Sequence, residues 1–265
     1  MKQIQVILTA IIMTTVLSLS AQNKHRIKTE EVSYTSGGVN CKSFIAYDAN
    51  QKGKRPAILV IPEWWGNNDY SKSRARQLAE LGYIAIAVDM YGDDKIAADP
   101  KQAQDYATPF YKDPALGESR VEAAVNKLKE YSQTDATKMA AIGYCFGGSM
   151  VLNAAKMGMD FKGVVSFHGG LATVPATAGS TKANILVCHG AADKFVGEAD
   201  VNSFKRNLDS LQVPYTFIVY PGATHAFTNP QSTATGKKFN MPIVYNEAAD
   251  KKSWNDMKDF FKTIF

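Results

Sequence analysis

The stretch GYCFGGS, residues 143–149, places glycine two residues before a single cysteine and again two and three residues after it. The apolar run 138–144 is typical of a buried strand, and the pattern of 146–158 is typical of a helix. Cys145 is therefore predicted to lie where a strand turns sharply into a helix. Glycine on both sides of such a turn permits a close backbone approach that larger side chains would block.

The pattern Gly-x-Cys-x-Gly is that of a nucleophile elbow in which sulfur replaces the usual hydroxyl. The N–H groups at the start of the following helix favour a thiolate and can donate to an oxyanion. We therefore interpret Cys145 as a nucleophile and the backbone N–H of Phe146 as an oxyanion donor. The alternative is a tight turn in which Cys145 is a small buried hydrophobe.

The rest of the chain alternates short apolar runs with amphipathic patterns. The runs predict strands over 43–49, 56–62, 83–89, 138–144, 162–168, 184–190 and 215–221, and the patterns predict helices over 71–82, 116–131, 146–158, 196–211 and 246–265. Several runs are apolar throughout, as strands buried on both faces require. We expect an α/β fold with a mostly parallel sheet flanked by helices on both faces. Residues 25–265 are predicted to form one domain, with 228–242 as a polar, exposed loop.

An elbow of this kind is followed in the chain by an acid and then a histidine, each after a later strand. Asp193 follows the run 184–190, and His225 follows the run 215–221. Of the four histidines, only His225 lies after Asp193. We predict a Cys145, His225 and Asp193 triad, with a solvated loop histidine as the alternative for His225.

The segment PEWWG, residues 62–66, ends an earlier strand and is expected to supply the second oxyanion N–H from Trp64. Glu63 stands between a proline and two tryptophans, which favours a role in the site over that of a surface acid. Candidate pocket residues are Trp65, Tyr91, Tyr144 and His168. Aromatic side chains are more often core, and His168 is equally consistent with a core histidine bonded to backbone.

Four motifs together resemble the dienelactone hydrolase family of the α/β-hydrolase fold: PEWWG (62–66), GYCFGG (143–148), HGAADKFV (189–196) and PGATHAF (221–227). The resemblance runs from about residue 40 to the end. It implies a cysteine hydrolase that cleaves an ester, lactone or thioester through an acyl-enzyme, with Glu63 touching the resting thiol. A non-catalytic small-molecule-binding member and an acyltransferase remain alternatives.

The chain lacks two arginines that are expected in family members acting on dienelactones. Members that act on dienelactones are expected to grip the substrate carboxylate with two arginines, one after the strand matching 83–89 and one soon after the histidine. Here those segments read DMYGDDKIAADP (89–100) and AFTNPQST (226–233), with no arginine. Lys95 does not reproduce the bidentate geometry of arginine. We expect a neutral substrate.

The first 21 residues carry one lysine, a short apolar run and small residues, as a secretory signal peptide does. We expect cleavage and export to the periplasm or the exterior, without stable membrane insertion, against the alternative of a membrane anchor. Export with three cysteines leaves at least one thiol unpaired within the chain, and Cys41 with Cys188 is a conceivable disulfide.

Composition narrows the partners. The net charge of +5 is spread along 265 residues with no run of five Lys or Arg, which argues against nucleic acid. No nucleotide fingerprint, phosphate loop or metal-ligand spacing is present in the sequence, so no cofactor and no metal are expected. The expected partner is a small-molecule ester or lactone.

Overall fold

A single eight-stranded sheet organises residues 25–265, the part of the chain that the computed structural model describes. Its strands are β1 Ile27–Ser36, β2 Val39–Asp48, β3 Arg55–Ile61, β4 Ile84–Ala87, β5 Thr134–Tyr144, β6 Gly163–Phe167, β7 Asn184–Gly190 and β8 Tyr215–Tyr220. The order is β1-β2-β4-β3-β5-β6-β7-β8. The pairs β1–β2 and β2–β4 are antiparallel, and all other pairs are parallel.

Helices cover both faces of this sheet. They are α1 Asp69–Glu80, α2 Pro100–Lys112, α3 Pro114–Lys129, α4 Phe146–Lys156, α5 Glu198–Ser210, α6 Ser232–Phe239 and α7 Glu247–Ile264. Buried residues of α2, α3, α4 and α5 pack in one core, and those of α1 and α7 pack in the other. Strand β3 shows the alternation: Leu59 and Ile61 face the first core, and Ile58 and Val60 face the second. The apolar runs are therefore strands buried on both faces, as expected.

Parallel pairing brings the chemistry to one edge of the sheet. Cys145 directly follows β5, Asp193 follows β7 and His225 follows β8. Glu63 follows β3, which pairs with β5. In a parallel sheet the carboxyl ends of the strands lie side by side, so residues distant in sequence meet there.

The turn at residues 143–148, called the nucleophile turn here because it holds the predicted nucleophile Cys145, needs its glycines for close backbone contacts. Cys145 has φ of 52°, a left-handed conformation that is rare outside glycine. A Cβ on Gly143 would lie 2.0 Å from the carbonyl oxygen of Gly147, and a Cβ on Gly147 would lie 2.2 Å from that of Ile61. A Cβ on Gly148 would lie 2.7 Å from the Cα of Gly169. These approaches leave no room for any side chain, so the turn requires glycine.

Three elements escaped the sequence analysis. Strand β1 is an edge strand with mostly exposed or half-buried residues, so it lacks an apolar run. Helix α2 contains Pro109 and buries only three residues. Helix α6 falls inside 228–242, where an exposed loop was expected. That expectation is wrong at Thr228 and Asn229, which are buried, because they pack beneath the site.

The conceivable disulfide between Cys41 and Cys188 is absent, and both thiols are free and buried. Cys41 lies on β2 and Cys188 on β7, five strands apart. At about 4.8 Å per strand they are roughly 24 Å apart, far beyond disulfide reach. Within residues 25–265 no helix is long and apolar enough to cross a membrane.

The nucleophile turn yields a stability prediction. Gly147→Ala should lower the free energy of unfolding by about 1–3 kcal/mol or more, because the new methyl group overlaps backbone that cannot move independently. Urea denaturation followed by circular dichroism would measure the change. Gly197→Ala is the matched control, since its Cβ would meet nothing within 4 Å. Equal stability of the two variants would contradict the packing argument.

Candidate active site

Three side chains form a hydrogen-bonded chain at the carboxyl edge of the sheet. The Nε2 atom of His225 lies 3.0 Å from the Sγ of Cys145, and Nδ1 lies 2.8 Å from Oδ2 of Asp193. The other carboxylate oxygen of Asp193 accepts the backbone N–H groups of Phe195 and Val196, at 2.8 and 3.2 Å. The Asp193 side chain is fully buried. It is therefore held with one oxygen facing the imidazole.

The charges of this chain support one another. Burial opposes protonation of His225, but the negative charge of Cys145 and the hydrogen bond to Asp193 outweigh it and raise the pKa of the imidazole to about 10. Burial likewise opposes ionisation of Asp193, yet the contact with His225 holds its pKa below the usual value. The arrangement therefore favours the protonated, imidazolium form of His225 between Cys145 and Asp193.

The two expected oxyanion donors lie on segments tied together by a backbone bond. The N–H of Gly147 donates to the carbonyl oxygen of Pro62 at 3.0 Å. Within residues 25–265, the backbone N–H groups of Phe146 and Trp64 have no hydrogen-bond partner. The hydroxyl of Tyr91 donates to the carbonyl oxygen of Trp64 at 2.9 Å and fixes that peptide. Two free donors on adjoining segments can serve an oxyanion.

A cavity of about 300 Å³ opens over Cys145, Glu63 and His225. Its walls are largely apolar and comprise Trp64, Trp65, Tyr111, Phe195, Val196, Met241 and Ile243, with Gln104 as a neutral polar group. Trp65 stacks on Phe239 of the unexpected helix α6 at 5.9 Å between centroids. No lysine or arginine is among the described residues that line it. The cavity suits an uncharged, mainly apolar ligand.

Of the four candidate pocket residues, only Trp65 lines this cavity. Tyr91 is buried and packs against Phe146. Tyr144 stacks on Phe167 in the core on the other side of the sheet. His168 is also buried. Their strand-end positions suggested the pocket, but their side chains turn into the protein.

A sequence profile of the dienelactone hydrolase family matches residues 42–265. The chain belongs to the dienelactone hydrolase family. This membership agrees with the α/β-hydrolase architecture of the sheet and with the four motifs that resemble the family.

Individual relatives of the family agree with this. The structure is similar to that of a dienelactone hydrolase-like promiscuous phosphotriesterase from metagenomic libraries, with a TM-score of 0.85 and 33% identity, covering 90% of this chain and 99% of that one. A putative carboxymethylenebutenolidase of Aquifex aeolicus is 27% identical over 237 residues, which is 88% of this chain and 97% of its own length. A probable 2-oxo-3-(5-oxofuran-2-ylidene)propanoate lactonase of Bradyrhizobium sp. is 25% identical over 232 residues, or 83% of this chain and 89% of its own.

Glu63 differs from what the family resemblance implied. Its Oε2 atom accepts a hydrogen bond from Nδ2 of Asn229 at 2.7 Å, while the thiol of Cys145 is bonded to His225. Burial raises the pKa of Glu63 to about 7, although the Asn229 bond and the charge of His225 oppose the rise. Glu63 is thus a buried carboxyl at the same cavity as the thiol, and Asn229 is its hydrogen-bond partner.

Sequence reasoning missed the buried polar residues that pack behind the cavity residues. Asn229 and Thr228 lie in the segment read as an exposed loop, and Arg74 lies on the buried side of α1. Arg74 forms an ion pair with Asp250 of α7. The one available signal was an arginine among the apolar positions of an amphipathic helix. Within residues 25–265, no group of three or more His, Cys, Asp or Glu could hold a metal ion.

Glu63 yields a pH prediction. From about pH 5 to about pH 7 the folded protein keeps a proton on Glu63 that the unfolded chain releases, so stability should fall as pH rises, by at most about 3 kcal/mol. Glu63→Gln should flatten this dependence, because the amide does not titrate. Urea unfolding at several pH values in this range would measure it. Parallel pH curves for the two proteins would argue against a buried neutral carboxyl.

Proposed function

We propose that this member of the dienelactone hydrolase family hydrolyses neutral carboxylic esters or lactones, with Cys145 as the nucleophile. The observation that carries the proposal is the chain of bonds from Asp193 through His225 to the sulfur, at the floor of an apolar cavity. Thioesters have the same reacting carbonyl and belong to the same substrate class. The relatives described as a carboxymethylenebutenolidase and a lactonase support the reaction type.

In the first half of the proposed reaction, the thiolate attacks the substrate carbonyl carbon and a C–S bond forms. The carbonyl oxygen takes the negative charge and accepts the N–H groups of Phe146 and Trp64, each worth about 3 kcal/mol in such sites. The tetrahedral species collapses, the C–O bond to the alcohol breaks, and His225 donates its Nε2 proton to the departing oxygen. The product is an acyl-enzyme thioester and a free alcohol.

In the second half, water replaces the alcohol. His225, now neutral, takes a proton from that water as it attacks the thioester carbon. The C–S bond breaks, the carboxylic acid leaves, and the sulfur returns as a thiolate beside the imidazolium. Asp193 holds the ring orientation in both halves and stabilises the imidazolium, without itself taking the proton.

We assign Glu63 to the control of the resting thiol. Its carboxyl lies at the cavity with Cys145, and its raised pKa makes a neutral acid available near neutral pH. In its ionised form, Glu63 could turn from Asn229 and accept the S–H of Cys145, and that hydrogen bond would favour the thiol over the thiolate. Such an exchange would limit oxidation of the free enzyme, because the thiolate is the reactive form.

Export is part of the proposal for the whole protein. Residues 1–21, read as a signal peptide, lie outside the described residues. The described part, residues 25–265, contains Cys145, Asp193 and His225. Sequencing the mature N-terminus from the host should give a start near residue 21 or 22, and a start at Met1 would contradict export.

The nucleophile assignment gives a direct test. Cys145→Ala should lower kcat/KM for a small chromogenic ester by on the order of 10⁴-fold or more, since loss of a nucleophile removes the covalent route. Its circular dichroism spectrum should match that of the wild type. Cys41→Ala is the control, because Cys41 is buried on β2 away from the site. Undiminished turnover by Cys145→Ala would exclude the mechanism.

The absence of lysine and arginine from the described cavity lining leads to a prediction about substrate charge. The wild type should prefer p-nitrophenyl butyrate over the anionic p-nitrophenyl hemisuccinate by about tenfold or more in kcat/KM, since no lysine or arginine among the described lining residues can pair with the carboxylate. Gln104→Arg should narrow the preference, and Gln104→Glu at the same position should widen it. Faster turnover of the anionic ester by the wild type would overturn the neutral-substrate proposal.

A further inference from the structure

His168 follows β6 beside the nucleophile turn, and both of its ring nitrogens are engaged. Its Nδ1 atom accepts the backbone N–H of Cys145 at 3.1 Å, and its Nε2 atom lies 2.7 Å from the hydroxyl oxygen of Thr228. A backbone N–H can only donate, so Nδ1 is unprotonated and Nε2 carries the hydrogen given to Thr228. The ring is 1% exposed and its φ is 41°, a left-handed conformation. This strained, buried geometry needs compensation from such bonds.

Thr228 connects this bond to the loop that carries His225, three residues earlier. Its hydroxyl lies 2.6 Å from the hydroxyl of Tyr70, and its carbonyl oxygen accepts a hydrogen bond from the Arg74 guanidinium at 2.9 Å. Arg74 is in turn paired with Asp250. The hydroxyl and the carbonyl of Thr228 are therefore both fixed by α1, which Asp250 of α7 holds through Arg74. His168 bridges this fixed point to the backbone of Cys145.

His168 is held in its neutral form, which is the form that this bridge requires. Burial, together with the positive charges of His225 and Arg74, holds the pKa of His168 well below its usual value. Its ring meets that of His225 edge-on at 5.4 Å between centroids. A second imidazolium there would weaken the imidazolium of His225. The N–H of Cys145, which occupies Nδ1, excludes the second proton.

We propose that His168 is a positioning residue that ties the nucleophile turn to the histidine loop, and so holds the sulfur of Cys145 within bonding distance of His225. The bridge runs from the N–H of Cys145, through both ring nitrogens of His168, to the hydroxyl of Thr228. This inference rests on the proposed function in one respect, that Cys145 is the nucleophile. His168 itself touches neither the cavity nor the reacting atoms.

The test uses two variants that cut the bridge at different points. His168→Phe keeps a ring and loses both bonds, and the N–H of Cys145 keeps the carbonyl of Phe167 at 3.0 Å as an acceptor. Thr228→Val removes the hydroxyl alone. The measurement is the rate of Cys145 alkylation by iodoacetamide against pH, read by mass spectrometry of the Cys145 peptide. Ester turnover would be measured as well, to give KM and a kcat normalised to the titrated concentration of active sites.

We expect each variant to slow alkylation at neutral pH by on the order of 10- to 100-fold, since a shift of about 1 Å at a reacting centre has effects of this size. The midpoint of the alkylation profile should rise, because the thiolate loses its imidazolium partner. The fold-decrease in kcat should exceed the fold-change in KM. The double variant should lower the alkylation rate no further than the slower of the two single variants, because both residues belong to one bridge. Thr228→Ser, which retains a hydroxyl, should recover most of the loss.

Thr134→Val is the matched control, because it removes a buried hydroxyl bonded to the carbonyl oxygen of Leu128 at the opposite end of β5. It should lower the melting temperature and leave the alkylation profile unchanged. The proposal is overturned if Thr228→Val resembles this control, with a lower melting temperature and a wild-type profile. If His168→Phe fails to fold, Thr228→Val decides alone. Absence of ester turnover in the wild type would defeat the proposed function, while the alkylation profile would still decide the role of His168.

Discussion

The contact on which the site depends is the approach of the nucleophile turn to the end of β3. The N–H of Gly147 bonds to the carbonyl of Pro62, and the Cα of Gly147 lies against the carbonyl of Ile61 with no space for a methyl group. This contact joins the start of α4 to the segment that carries Glu63 and Trp64. The N–H groups of Phe146 and Trp64, the carboxyl and the sulfur are brought together because two pieces of backbone touch there without intervening side chains.

The charged groups of the site lie in two places: some are at the cavity, and the ion pair of Arg74 with Asp250 lies behind them. At the cavity, Cys145, His225 and Asp193 form a chain with one imidazole between two acidic groups, and no lysine or arginine lines the described walls. Arg74, paired with Asp250 and bonded to the carbonyl oxygen of Thr228, is a strong cation that is not among the described residues lining the cavity. The arginine therefore stabilises the framework without offering a charge to the ligand. This separation is the physical basis for expecting a neutral substrate.

The sequence could predict the parts of the structure in which local pattern and function coincide. Buried parallel strands are apolar throughout, and the turn at Cys145 requires glycine, so the sheet, the order of Cys145, Asp193 and His225, and the family were all readable. Strand β1 was not, because an edge strand needs no apolar run. The support beneath the site was not readable either. Thr228 and Asn229 are polar residues in a polar segment, and only tertiary contacts from α1 and β3 distinguish them from residues of an exposed loop.

The pocket was the least readable part, for a related reason. Tyr91, Tyr144 and His168 all lie at strand ends on the correct edge, but the direction of each side chain depends on neighbours from other strands. Helices α2 and α6, which contribute Gln104 and the support of Trp65, carry weak local patterns. Part of the cavity wall therefore comes from segments whose structure depends on packing against a framework that the stronger patterns define.

The wide separation of Cys41 and Cys188 in the sheet has a consequence for biogenesis. Neither thiol contributes a cross-link, so the described fold is held by non-covalent contacts alone. Residues 25–265 can therefore adopt this fold without forming a disulfide bond.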